Sequence, residues 1–589
     1  MENKAEVFEC YMSSLPVEVL TIILQQCECQ DILAFASTCK DFRDIVFSNQ
    51  LLWKNKFKPI VTSYMFESLE KNGDGNWFNE LKEFYLLKKR IYKELIAMSP
   101  KYYWHCCDIT LEDVRNFFDI ALSSNVNYFY VIHILQGLVK EVNNYIAKNC
   151  AKKPFTMTEI YYAKVVLRHL MHTFLAVKWV KFHMKKELPP EVVVNFFLQW
   201  IDSDHMHPDA EVTVKINALV EKVKKILNNL QPRWSSLSVA ERIATKVLHE
   251  KQVLGAITQV LFHENNMVIT VTVNLETLSI TEALECNCAS FITIAAIYHA
   301  VANRCDVACD LVSFPSHLFV EWRDRSDHRH PVVYSVDLGS GEVHPKRRCP
   351  FSKTDHVATY KYCPDSLLQY IYSLFNSSMD GVKNWNTQNA LHLLNFLGTS
   401  HSQTNPYRNF LAYLIGHAHL PAMNIPLDIT NLHDEHIELI KSLANLNTPV
   451  KPVKKEKFVK KKRVSKVKYA VGMVCCHRKF DYVGVIRAWD QSCDLNYADR
   501  MEMELNLQYG IKQPFYFVMA EDQSCRYVAQ ENIVEITRPV RLVNLEESIA
   551  REFTHFDGFA YVANDQKRAE YPDDAHIVDV YRTRCSLKP

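Results

Sequence analysis

Glycine is scarce in this chain, 13 of 589 residues. So few suit a mainly helical protein, and no phosphate-cradling loop is present: neither G-x-x-x-x-G-K-[ST] nor G-x-G-x-x-G occurs. An excess of either charge is also missing. Lys and Arg number 68 against 67 Asp and Glu, a net of +1, so no whole-protein field attracts nucleic acid or an acidic membrane. The longest nearly apolar run, Phe291 to Ala302, is too short to span a bilayer, and MENKAEVFEC lacks the apolar centre of a signal peptide. The 18 cysteines include no C-x-x-C and two adjacent pairs, Cys106-Cys107 and Cys475-Cys476, a spacing that suits free thiols in a reducing compartment better than a disulfide or zinc framework. The expectation is a protein of the cytoplasm or nucleus, with no membrane segment, no cofactor and no metal.

What the chain does contain is apolar residues in quantity, 48% hydrophobic, enough for sizeable cores and about four domains. Residues 13–57 are patterned as three short helices: Pro16 opens one carrying Leu20, Ile23 and Leu24, Asp31 caps a second with Ile32 and Leu33, and Ser48 or Asn49 caps a third ending in Leu52, Trp53 and Phe57. Three helices in about 45 residues cannot bury their apolar faces alone and need a partner. Leu15-Pro16, Glu18, Leu20, Ile23, Asp31-Ile32-Leu33, Cys39, Phe42 and Leu52-Trp53 resemble the F-box. That resemblance implies docking to the Skp adaptor of a cullin–RING ubiquitin ligase through Leu15, Pro16, Leu20, Ile23, Leu33, Leu52 and Trp53.

Helical periodicity dominates residues 77–235, with Leu81, Phe84, Leu87, Ile91 and Leu95 at spacings of three and four. His169, His172 and His183 keep no ligand spacing with a carboxylate or thiol and read as packing or surface residues. Over 238–349 the texture changes: a helix from Val239 to Leu261, a β-branched stretch from Met267 to Val273, an apolar helix from about Cys288 to Arg304, then strand-like runs at Asp310 to Trp322 and Pro331 to Leu338. Cys288, His317 and Asp337 follow the order of a papain-like thiol site, in which a helix dipole acidifies the thiol, a histidine takes its proton and an acid orients the ring. Phe314-Pro315-Ser316-His317 and Asp337-Leu338-Gly339-x-Gly341 resemble the SirB-type branch of the transglutaminase-like fold. With Asp306 aligned to the glycine that ends the helix in that branch, Cys288 falls about one turn before the usual nucleophile position, near which Phe291 and Thr293 stand. The branch looks largely non-catalytic, so Cys288, His317 and Asp337 are weak catalytic candidates, and no catalytic activity of the chain's own is expected.

Helices resume over 355–447. The stretch 448–468 holds the run KPVKKEKFVKKKRVSKVK, ten basic residues and one acid from Lys451 to Lys468, and reads as a solvated linker or an import signal. Residues 469–538 alternate in short strands bounded by Gly472, Gly484 and Gly510, the pattern of a small β-barrel. His477, Gly484, Trp489, Asp490, Pro514, Phe515 and Tyr516 resemble the YccV/HspQ family, described as hemimethylated-DNA-binding, although Tyr497 stands where that family commonly has tryptophan. From Tyr469 to Thr537 six Lys and Arg stand against ten Asp and Glu, a net of −4, so the barrel offers phosphates no basic face and DNA is a disfavoured partner. Residues 539–589 form an extension expected to pack beside it.

The fold class read from these segments is multidomain and mainly α, with an α+β transglutaminase-like module and a small C-terminal β-barrel. The function implied is that of an SCF substrate receptor, bound to the Skp adaptor and cullin–RING core and presenting an unknown protein substrate. The competing readings are a DNA-binding protein and a Cys-His-Asp thiol enzyme.

Overall fold

The computed structural model describes residues 12, 15–104, 109–111, 113–124, 126–148, 156–183, 188–203, 207–230, 237–314, 317–324, 332–345, 364–378, 386, 389–390, 392–393, 459–494 and 507–586. Cys106-Cys107, Pro315-Ser316, Tyr497 and most of the helical reading over 355–447 lie outside them. The chain divides into two compact units, whose described residues run up to Lys148 in the first and from Thr156 in the second. The helical stretch 77–235 is therefore shared between two units.

The first unit opens with α1 (Val17–Gln26), α2 (Cys29–Ala36), α3 (Lys40–Ser48) and α4 (Gln50–Phe57). Four helices stand where the pattern predicts three, because Cys39 starts one of its own by accepting the Phe42 N–H on Sγ at 3.4 Å. Asp31 lies inside α2, not at its cap, which is Glu28. Asn49 caps α4 by accepting from Leu52 N at 3.0 Å. Beyond α5 (Ser63–Asn72), α6 (Trp77–Tyr102) buries Leu81, Phe84, Leu87, Ile91 and Leu95 on one stripe, the residues its periodicity predicts. It is followed by α7 (Arg115–Ala121) and α8 (Asn127–Lys148).

The second unit begins with α9 (Met157–His183) and α10 (Pro190–Ile201), almost every residue of which is buried. His172 and Trp200 stack at 4.2 Å, and the buried His172 donates from Nε2 to the Trp200 carbonyl, as suits a packed imidazole. Next come α11 (Asp209–Leu230) and α12 (Val239–Thr258), which starts on a Ser238/Glu241 capping box. A π-helical turn, Gln259–Glu264, leads to β1 (Val268–Thr270), α13 (Leu275–Leu278), α14 (Ile280–Cys286), β2 (Cys288–Ser290) and α15 (Phe291–Arg304).

Strands β3 (Cys309–Phe314), β4 (His317–Asp324), β5 (Val332–Val336) and β6 (Val343–Pro345) form an antiparallel sheet in chain order. The run Asp310 to Trp322 is thus a hairpin of two strands, with Phe314 paired to His317, where the sequence suggests one. Helix α16 (Pro364–Ser378) packs on α10.

Towards the C-terminus, β7 (Val474–His477), β8 (Val483–Asp490), β9 (Phe515–Ala520), β10 (Cys525–Ala529) and β11 (Ile533–Glu535) form one antiparallel sheet in the order β10-β9-β8-β7-β11. The strands of the expected barrel are present, but among the described residues the edge strands β10 and β11 do not pair, so no closed barrel forms. The chain ends in α17 (Val543–Ile549), β12 (Phe553–Phe556), β13 (Tyr561–Ala563), α18 (Asp565–Glu570) and α19 (Asp574–Ser586). These elements do more than lie beside the sheet. Leu545, Ile549, Phe553, Tyr561 and Tyr581 share one core with Val474, Val485, Trp489 and Tyr516, and Met157 of α9 joins it. Thr158 donates to the Phe553 carbonyl at 3.1 Å and accepts from Asn564 Nδ2 at 3.3 Å.

Candidate functional site

In the first unit, α4 fixes the position of α1. Asn49 Nδ2 donates to Thr21 Oγ1 at 2.6 Å, and Lys56 Nζ donates to the Gln25 carbonyl at 2.7 Å, placing a cation on the free carbonyls at the end of α1. Trp53 donates from Nε1 to the Val46 carbonyl at 2.8 Å and lies 5.0 Å from the Phe78 ring of α6. Phe57 meets the rings of Trp77, Phe84 and Tyr130. Leu20, Leu52 and Trp53, expected as docking residues, are therefore interior residues with at most 1% exposure.

The outward residues form a different set. Val17, Val19, Ile22, Ile23 and Leu33 are 47%, 40%, 62%, 38% and 44% exposed, beside exposed Pro16 and half-buried Leu15. Helix α1 is thus apolar on the side facing the unit, through Leu20 and Leu24, and on the side facing solvent, through Val19, Ile22 and Ile23 at i, i+3 and i+4. Ile23 and Leu33 belong to the docking set read from sequence. Val17, Val19 and Ile22 do not, although Val19 lies at helical spacing with Ile23 and the Ile22-Ile23 pair beside the buried Leu24 marks a helix whose apolar arc is too wide for one contact.

In the transglutaminase-like module two of the three candidate side chains, those of Cys288 and Asp337, are described, and no bond joins them. Helix α15 is closed by Asp306 at φ +61°, with Val307 N donating to the Ala302 carbonyl at 3.0 Å, so the alignment of Asp306 with a helix-ending glycine has a physical basis. Counting back from that end, the cap is Ser290, whose Oγ accepts from Thr293 N, while Thr293 Oγ1 donates to the Thr277 carbonyl at 2.8 Å. Cys288 lies before the helix, paired with Val268 in the parallel β1–β2 ladder, and no imidazole or carboxylate among the described residues bonds to its thiol. The expected helix start at Cys288 is corrected to Phe291.

His317 opens β4, and its side chain lies outside what is described. The Asp337 carboxylate is exposed and committed to its own turn, accepting from Gly339 N at 2.8 Å and Ser340 Oγ at 3.2 Å. That turn requires Gly341: at φ +74°, a Cβ there would lie 2.4 Å from the Phe262 ring. Among the described residues no three His, Cys, Asp or Glu side chains converge as a metal site, and every cysteine is a free thiol.

The YccV-like motif residues hold the C-terminal domain together. His477 Nδ1 accepts the N–H of Lys479 and of Phe480, both at 3.1 Å, and the ring stacks on Tyr482. Burial, reinforced by Arg526 and Lys479, keeps its pKa below the ordinary value, consistent with a neutral turn-capping imidazole. A Cβ on Gly484 would lie 2.5 Å from the Met519 carbonyl, so the close approach of β8 to β9 needs glycine. The Trp489 indole N–H donates to Asp574 Oδ2 at 3.0 Å. Asp490 accepts from Lys461 Nζ at 2.8 Å and from the Tyr527 hydroxyl at 3.0 Å. The Pro514 carbonyl accepts from Gln530 N, and Phe515 stacks on Tyr527. The Tyr516 hydroxyl accepts from the N–H of Lys468 and Tyr469 and donates to Gln530 at 2.7 Å, while burial pushes its pKa up to about 12.

From Lys461 onward the basic run is built into this domain. Arg463 Nη1 donates to Asp574 Oδ1 at 2.6 Å and Nη2 to the Tyr469 carbonyl at 2.8 Å, Lys461 N donates to the Glu570 carbonyl, and Val467 is buried. A run read as a free linker is held because alternate side chains, Lys461 and Arg463, find carboxylates.

Three family descriptions match the chain: F-box-like over residues 12–59, transglutaminase-like superfamily over 211–351, and hemimethylated DNA-binding protein YccV like over 467–559. F-box only protein 21 of Mus musculus is 24% identical to it, over 96% of this chain and 92% of that protein. The Homo sapiens and Pongo abelii proteins of the same name are each 23% identical with the same coverage. The chain is a homologue of F-box only protein 21. No solved structure matches it. It is an F-box protein, and among the described residues no helix is long and apolar enough to cross a membrane.

Proposed function

We propose that this chain is the substrate-recognition subunit of an SCF ubiquitin ligase, gripping the Skp adaptor with the outer face of α1 and α2 and presenting a client protein. The observation that carries this reading is the exposure of Val19, Ile22 and Ile23 on a helix whose other side is already packed, with Leu33 exposed on the next helix. A contiguous apolar face of this kind gains roughly 25 cal/mol for each Å² removed from water, a gain open only to a partner. Ubiquitin transfer then belongs to the RING subunit and its E2, and this chain contributes proximity and orientation. The F-box-like match supports the same assignment.

The test compares wild type with Ile22→Asp/Ile23→Asp in a pull-down read by mass spectrometry. Loss of the adaptor and cullin with clients retained supports the proposal. Undiminished adaptor recovery sinks it.

A further inference from the structure

The stretch from Lys460 to Lys468 lies across the C-terminal domain with its cations sorted. Lys461 and Arg463 point inward onto Asp490 and Asp574, while Lys460, Lys462, Lys466 and Lys468 are exposed, with no ion pair among the described residues. Between the two anchors, Arg463 and buried Val467, the chain makes a turn closed by Val467 N donating to the Val464 carbonyl at 3.0 Å. Ser465 stands in that turn, exposed, with Lys462 three residues before it, Lys466 directly after it and Lys468 three after. A hydroxyl displayed in a turn and flanked on both sides by exposed cations complements an acidic kinase cleft.

We propose that Ser465 is a phosphorylation site for a basophilic protein kinase. In the transfer, Ser465 Oγ attacks the γ-phosphorus of a nucleoside triphosphate bound with Mg²⁺ in the kinase. The Oγ–P bond forms, the P–O bond to the nucleoside diphosphate breaks, that diphosphate leaves, and the hydroxyl proton passes to a carboxylate of the kinase. The phosphate brings about −2 of charge among four exposed lysines and so cancels about half of their anion attraction. Access is conditional, since the turn must open and Arg463, the base two residues before the serine, is held by Asp574 while the strap is docked.

The full-length protein and a peptide of residues 458–470 are incubated with Mg-ATP and the catalytic subunit of cyclic-AMP-dependent protein kinase, and phosphate is mapped by mass spectrometry. Phosphate on Ser465 of the full chain is expected, slower than on the peptide by about ten-fold for opening the turn, and slowed at least another ten-fold by Lys462→Glu/Lys466→Glu. After modification the protein leaves a heparin column at lower salt than Ser465→Ala treated alike. Three results overturn the proposal: Ser465 of the full chain unmodified a hundred times longer than the peptide needs, a rate indifferent to the charge-reversed lysines, or unchanged heparin retention after stoichiometric modification.

Discussion

Trp489 and Asp574, 85 residues apart in sequence, meet at 3.0 Å between the indole N–H and a carboxylate oxygen inside the C-terminal domain. The same carboxylate accepts from Val471 N at 2.8 Å and from Arg463, so one buried acid joins the basic strap, the sheet and the last helix. Asp574→Ala leaves three donors without their acceptor and should cost about 3 kcal/mol, whereas Trp489→Phe, which removes one donor, should cost about 1 kcal/mol. Hydrogen exchange of residues 471–490 in the full chain reads both.

A second ion pair sets the acid stability of this domain. Burial alone would raise the Glu552 pKa, but Lys567 and Arg487, the latter bonding it at 2.8 and 2.7 Å, outweigh that and hold it at about 2. Because the folded pKa lies below the unfolded value of about 4.3, this stabilisation is complete above that pH and is lost as pH falls through about 2. Wild type should therefore melt above Glu552→Gln at neutral pH, with the two melting curves converging between about pH 4 and pH 2.

Within the F-box, interior and surface substitutions should separate. Trp53→Ala removes a side chain 1% exposed and should destabilise the first unit by about 3 to 5 kcal/mol, abolishing adaptor binding through unfolding. Ile23→Asp, on the exposed stripe, should abolish binding with the circular dichroism melt of the chain unchanged.

Thiol reactivity offers a check on the transglutaminase-like module. Burial pushes the Cys309 and Cys475 thiols up to about 12, so both should stay unlabelled by iodoacetamide at neutral pH, while exposed Cys39, Cys286 and Cys525 react. Cys288, on a strand before α15, should label no faster than these, and His317→Ala should leave its rate unaltered. Fast Cys288 labelling that His317→Ala abolishes would revive the thiol-enzyme reading.

Much of this was legible because it is local. The stripe of α6 follows from apolar residues at spacings of three and four, Asn49 caps α4 as an asparagine before an apolar turn should, and Asp306 takes the left-handed backbone that ends α15. Helix α3 was missed because its cap is a cysteine, a weak acceptor without a sequence signature. The strap was misread because a run of like charge looks solvated until its carboxylates are located, and Asp574 stands 111 residues from Arg463.

By itself the sequence determined the buried stripe of α6, the Asn49 cap of α4 and the F-box pattern, since each follows from a few neighbouring residues. Only the tertiary structure decided that Leu20, Leu52 and Trp53 turn inward while Ile22, Ile23 and Leu33 face out, and that α9 enters a core completed almost 400 residues later at Phe553. The physical reason is that hydrophobic burial is non-directional: periodicity marks an apolar stripe but not the surface, near or distant in sequence, that comes to cover it.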